Sequence, residues 1–208
     1  LHLFRPRPEA ARNDDLVWVG NWGDGERTAE LREFLFEPIR ELGLAARIFG
    51  VRYPAAALRV VRESGARYGG WLANHLVPRV FAGAALTVQI PRRPYVKMLP
   101  GIPTIRVFEA LACGIPLICT PWEDCENLFR PGVDFLQAET GGDMRARIRQ
   151  LLTDRELAAA LAANGLATIL ARHTCGHRVD ELLAICRGLG MAAAEREDRS
   201  AQQAVSSA

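Results

Sequence analysis

Leu16-Val17-Trp18-Val19-Gly20, followed at once by Asn21-Trp22-Gly23-Asp24-Gly25 and then by Arg27, is the stretch whose reading decides the fold. A short apolar run bounded by a Gly/Asn/Asp cluster reads as a strand buried on both faces, and the residues from about 27 to 42 read as a helix. Strand, turn and helix in that order form the unit from which parallel sheets covered by helices are built.

The same alternation continues outward. Gly43 is a helix stop, 46–51 a second strand, and 55–63 a helix closed by Ser64 and Gly65. A weaker strand covers 68–72. Asn74 is placed to cap a helix over 75–81, which Pro78 either confines to early proline positions or kinks. The strand at 86–90 leads into a long Pro- and cation-rich loop, 91–103, and loops of that length are usually functional or mobile. Thr104 is then the expected N-cap of a helix to residue 112, Gly114 ends it, and 116–120 is a strand. A last strand over 133–136 follows the turn Arg130-Pro131-Gly132, and helices are expected over 143–152, 155–173 and 177–189. The predicted fold is α/β, a parallel sheet with helices on both faces. Residues 1–15 read as the remnant of a linker from a preceding domain, 16–190 as one domain, and 191–208 as a disordered tail.

Bulk properties narrow the function. With 26 Lys and Arg against 24 Asp and Glu, the net charge of +2 gives no long-range field for nucleic acid or an anionic membrane. No apolar run approaches the roughly 20 residues of a membrane span, and the start at Leu1 lacks a signal-peptide core, so a cytoplasmic location is expected. Cys113, Cys119, Cys125, Cys175 and Cys186 include no CxxC pair and read as buried free thiols. His173 and His177, four apart, would share a helix face as metal ligands do, but no Glu or Cys completes the set. They read as a helix junction in which Thr174 and Arg178 make local bonds.

Ligands of open α/β sheets bind at the carboxyl ends of the strands, and three segments fall there. The glycines of 20–25 permit close backbone approach, and Arg27 adds charge at a helix start, which suits a diphosphate. A plain tight turn fits these residues equally well. In the second segment, Gly101-Ile102-Pro103-Thr104 opens a helix on which Glu109 can present a carboxylate to hydroxyls. Glu109 sits among Phe108, Leu111 and Cys113, and a carboxylate in such company needs a partner. The third segment carries Arg92, Arg93 and Lys97, either an anion clamp or a solvated loop.

Phe108-Glu109-Ala110-Leu111-Ala112-Cys113-Gly114-Ile115-Pro116 resembles the EAxACGxP segment of retaining GT-B glycosyltransferases. The runs RVFEALACG from Arg106, LFRPGVDFL from Leu128 and ARHTCGHRVDELL from Ala171 resemble the CgeB-like, spore-maturation type, and the likeness extends from about residue 16 to 189. The resemblance implies a Rossmann-like domain, the C-terminal half of a GT-B fold, that binds a UDP- or GDP-linked sugar as donor substrate and holds no tightly bound cofactor or metal. It implies that Glu109 bonds the nucleotide ribose, that Gly101, Ile102, Pro103 and Thr104 lie by the diphosphate and sugar, that Gly20, Asn21 and Trp22 face them, and that Leu72 and Asn74 lie near the base. Arg27, Arg93 and Lys97, in that order, are the candidate catalytic cations for the leaving-group charge. The acceptor is unnamed, and its site would come from a missing N-terminal GT-B domain, so this piece is expected to bind donor and transfer little. The family often carries a first glutamate eight positions before the second, and that position here is Gly101. This departure favours the alternative of a non-catalytic module that binds nucleotide or sugar nucleotide without turnover. A nucleotide-sugar epimerase would need acid and base residues that the sequence does not display.

Overall fold

A computed structural model of the chain describes residues 2–23, 25, 27–99 and 101–189. The tail expected to be disordered lies outside the described residues. The chain divides into two compact units, Leu1–Arg172 and His173–Ala208.

The first unit is built on six parallel strands: β1 (Asp14–Val19), β2 (Ala46–Phe49), β3 (Arg67–Gly70), β4 (Ala84–Gln89), β5 (Leu117–Cys119) and β6 (Leu136–Gln137). They lie in the order 3-2-1-4-5-6. Strand periodicity sorts the side chains to two cores. Leu16, Trp18, Ile48, Leu86, Val88 and Ile118 face one side, where they meet Leu31, Leu35, Ile39, Met144 and Ile148. Val17, Leu117 and Cys119 face the other, against Phe81, Val107, Leu111, Phe135 and Ile169. Each such large side chain removed from water contributes about 1.5–3 kcal/mol. That double burial is why the central strands read as apolar runs rather than alternating ones, whereas β3, at the sheet edge, is largely exposed.

The helix expected from residue 27 to 42 is continuous but not uniform. It comprises α1 (Thr28–Leu31), π-helical turns at Arg32–Phe36 and α2 (Glu37–Leu42). Pro38 supplies the reason: lacking an N–H, it cannot make the ordinary bond back to residue 34, so the turn before it widens. α3 (Ala55–Glu63) has the predicted limits. After β3, Asn74–Leu76 forms a 3₁₀ turn and α4 spans Val77–Ala82 with Pro78 in its first turn, so the proline opens the helix instead of kinking it.

Three expectations are corrected. The segment 91–103 is not loop throughout, because α5 (Arg93–Lys97) forms within it. Thr104 precedes α6 (Ile105–Ala112) and Asn74 begins the 3₁₀ turn, yet neither side chain caps a helix, each being drawn to a distant partner. The last strand sits at Leu136–Gln137, and within the stretch 133–136 only a single bridge, Pro131 to Phe135, precedes it. α7 (Gly141–Thr153) and α8 (Arg155–Arg172) complete this unit.

In the second unit α9 spans Cys175–Gly188. Thr174 caps it: its hydroxyl accepts from the His177 N–H, and His177 Nδ1 stands 2.7 Å from that hydroxyl. Arg178 pairs with Glu181 at 2.9 Å. The two histidines thus flank a helix start, as the junction reading requires. Among the described residues no group of three or more His, Cys, Asp or Glu side chains gathers, and no helix is long and apolar enough to cross a membrane. All five thiols are free, but burial holds only for Cys113 and Cys119; Cys125 and Cys175 are exposed.

Candidate functional site

The order 3-2-1-4-5-6 reverses direction between β1 and β4, and the carboxyl ends of those strands flank the crevice where such sheets bind ligands. At the exit of β1 the Gly20 N–H donates to the Phe49 carbonyl at 2.8 Å, and Tyr53 Oη donates to the Gly20 carbonyl at 3.1 Å. A Cβ at Gly50 would stand 2.0 Å from the Gly20 carbonyl oxygen, so the β1 and β2 exits approach as only glycine allows. Asn21 Oδ1 accepts from the Val51 N–H at 2.9 Å. Trp22 is buried and stacks on Phe36 with ring centroids 5.7 Å apart. Of the three residues expected to face a donor, Asn21 and Trp22 therefore direct their side chains to the β2 exit and the core.

Arg27 lies deeper than its charge would predict, at 7 % exposure. Its guanidinium donates to the Ile90 carbonyl at 2.7 Å and to the Asn21 carbonyl, and stands over the Trp18 ring at 5.1 Å. It joins the exits of β1 and β4 and holds a fixed positive charge at the crevice. Arg93, on α5, makes two bonds to Glu30 on α1, of 2.8 and 3.1 Å. The Arg93 hydrogen bond holds the Glu30 carboxyl below its usual range against a smaller opposing effect of burial. Lys97 ends α5 and is exposed.

Glu109 lies on α6 and is 7 % exposed. Its Oε1 accepts from Asn74 Nδ2 at 3.1 Å, and its Oε2 accepts from Arg106 Nη1. The partner that the apolar surroundings demanded is thus double, and the structure brings together two residues expected near the nucleoside, with the half-buried Leu72 two residues before Asn74. Burial pulls the Arg106 guanidinium below its usual range while the Glu109 charge opposes it. Burial pushes the neighbouring Cys113 thiol up to about 12, with Glu109 adding to the rise.

At the start of α6, Thr104 Oγ1 accepts from Gln89 Nε2 at 2.7 Å, so the hydroxyl ties the loop to the end of β4 and leaves the first turn without a side-chain cap. Ile102 is exposed and Pro103 half-buried. Gly101 has φ +88°, and a Cβ there would stand 3.0 Å from Cys125 Sγ and 3.3 Å from the Glu123 carbonyl oxygen. A glutamate at this position would meet both a left-handed backbone and a neighbouring loop. Sequence reasoning missed Arg106, Gln89 and Glu30. Arg106 was open to discovery, since residues three apart on a helix are neighbours; Gln89 stood out only as one of two polar members, with Thr87, of an apolar strand.

An uncapped helix N-terminus, a fixed guanidinium and a buried carboxylate with amide and guanidinium partners can together take an anion at one end and hydroxyls at the other.

Residues 27–184 match the model of a family described as glycosyl transferase-like. No curated protein matches the sequence. Among solved structures the fold is similar to sucrose-phosphate synthase from Thermosynechococcus elongatus, at 17% identity and TM-score 0.74, over 92% of this chain and 51% of that one. It is similar to the C-terminal domain of a glycosyl transferase group 1 family protein from Francisella tularensis, at 13% identity and TM-score 0.62, over 84% and 97%. It is similar also to T4 phage BGT solved in complex with UDP and Mn2+, at 15% identity and TM-score 0.71, over 88% and 50%. The chain spans about half the length of the synthase and of the phage protein, and nearly all of the isolated domain.

Proposed function

This chain belongs to the glycosyl transferase-like family, and from that premise we propose that it is the donor-binding half of a GT-B glycosyltransferase, CgeB-like in its motifs, taking a UDP- or GDP-linked sugar. The observation that carries the reading is Glu109, buried and bonded to Asn74 and Arg106 on the helix whose uncapped start adjoins the β1/β4 crevice. A nucleoside diphosphate matches that arrangement. Its ribose hydroxyls donate to the carboxylate, and its phosphates accept from N–H groups of the first turn of α6, beside Gly101, Ile102, Pro103 and Thr104.

The reaction assigned to the complete enzyme is transfer of the glycosyl group to an acceptor held by an N-terminal domain. Leaving-group charge is stabilised electrostatically, without a metal. Arg27 leads the candidate cations because two backbone carbonyls fix its guanidinium at the crevice. Lys97, exposed at the end of α5, is free to approach a phosphate, whereas Arg93 does so only by leaving Glu30.

Thermal unfolding with and without millimolar UDP, GDP and their sugar conjugates tests the reading, since a ligand that binds only the native state raises its stability. One nucleotide series is expected to raise the midpoint equally with Mn2+ and with a chelator, and Glu109→Ala to remove the rise. No rise with any nucleotide overturns it, and a rise that needs Mn2+ overturns the metal-independent part. A second reading, a binding module without turnover, draws on Gly101, whose left-handed backbone and close neighbours disfavour a carboxylate side chain. Sugar-nucleotide hydrolysis by the full-length protein separates the two.

A further inference from the structure

The exit of β5 runs beside the start of α6. The Thr120 N–H donates to the Gln89 carbonyl at 3.0 Å, continuing the β4–β5 ladder past its last strand residue. The chain then passes through Trp122, whose ring stacks on Phe135 with centroids 5.2 Å apart, and through Asp124, whose carboxylate accepts from the Leu128 and Phe129 N–H groups at 2.9 Å each. Two anchored residues thus bracket Glu123. Its own backbone carbonyl lies 3.3 Å from where a Cβ on Gly101 would stand, so the Glu123 peptide borders the loop that feeds α6.

The carboxylates at this end of the sheet divide sharply by what they hold. Glu30 is paired with Arg93, Glu109 with Asn74 and Arg106, and Asp124 with two backbone N–H groups. Glu123 and Glu126 are both exposed on the same loop, but it is Glu123 whose peptide borders Gly101 and whose carboxylate meets, among the described residues, only the Cys125 thiol, at 3.9 Å, which itself faces Gly101. A carboxylate directly against a diphosphate would be repelled, but one just beyond it is an acceptor for the hydroxyls of whatever the diphosphate carries.

We propose that Glu123, on the β5 exit beside Gly101, accepts hydroxyl hydrogen bonds from the donor sugar and so sets which sugar nucleotide is preferred over the bare nucleotide. This rests on the donor-site reading of α6. Glu109 and Asn74 then serve the nucleoside end of the ligand and Glu123 the sugar end. The device suits this chain because a side chain at Gly101, at the opening of α6, would be strained by its left-handed backbone and crowded by Cys125, while the adjoining loop places an acid at its border.

The test measures the affinities of this chain for UDP against UDP-glucose, and for GDP against GDP-mannose, by calorimetry. Glu123→Ala is expected to leave nucleoside diphosphate binding within about twofold, which also certifies the fold. It is expected to weaken the sugar nucleotide by about tenfold, the scale of one hydrogen bond to a charged group. Glu123→Asp should recover part of that loss. An unchanged ratio of sugar nucleotide to nucleotide affinity, or an equal loss of both, overturns the assignment and leaves the donor-site reading standing. Failure of the unsubstituted chain to bind any of the four ligands overturns both.

Discussion

Asp14, at the amino end of β1, and Glu109, on α6, are both buried carboxylates that hold two nitrogen partners, and they stand at opposite ends of the sheet. Asp14 has a fully buried side chain bonded to Arg47 of β2 at 2.5 Å and to Arg67 of β3 at 2.6 Å. It stitches three adjacent strands together at the end where strands begin, away from the crevice. Glu109 is held by Asn74, in the turn after β3, and by Arg106, one turn earlier on its own helix, beside an uncapped helix start. A buried, doubly paired acid is therefore not by itself a mark of function. The end of the sheet that it serves decides, because only the carboxyl end gathers loops and helix N-termini that a ligand can reach.

The largest effect expected from that contrast is on stability. Asp14→Ala leaves two guanidiniums without their acceptor; both keep solvent contact, at 32% and 66% side-chain exposure, so the loss is about 2 kcal/mol rather than the full cost of a stranded buried charge. Urea unfolding measures it, and the nucleotide-induced rise in midpoint should survive. If Asp14→Ala also abolishes that rise, the two ends are not separable in the way described.

A smaller effect is expected at Gly101. Replacement by alanine places a Cβ on a left-handed backbone against Cys125 Sγ and should cost about 1 kcal/mol, with nucleotide-sugar binding weakened because the loop opening α6 must shift. A neutral Gly101→Ala in both assays would mean that the loop adapts freely and that its tight fit does not explain the missing acid.

The smallest effect belongs to the exposed Glu30–Arg93 pair, and it depends on pH. Because Arg93 lowers the Glu30 carboxyl in the folded state, the pair's contribution is complete above the ordinary value of 4.5 and fades as pH falls through the depressed folded value. Glu30→Gln should therefore lower the thermal midpoint slightly at pH 7 and converge with the parent chain in acid. A difference that grows on acidification would show that the pair does not stabilise the fold in the way its geometry implies.

Much of the architecture was legible because its causes are local. Leu16 to Gly20 reads as a buried strand from its own apolar run, Gly43 ends a helix by its own conformational freedom, and α3 has limits marked by its neighbours in sequence. Glu109 was legible as a residue in need of partners because Phe108, Leu111 and Cys113 surround it in the chain. Arg27 was legible as a cation near the crevice but not as a buried one, since the carbonyls that hold it belong to residues 21 and 90.

The sequence by itself determined the succession of strands along the chain, the helices that cover the sheet apart from α5, and the helix that carries Glu109, because periodicity and local breakers act over a few residues. Only the tertiary structure decided that Asn74 turns from capping to Glu109, that Thr104 turns from capping to Gln89, and that Gly101 lies against the loop of Glu123 and Cys125. Those choices are made between segments that meet only after the sheet has formed. A polar side chain with a nearby cap to make then goes instead to the distant group whose burial would otherwise leave it unsatisfied.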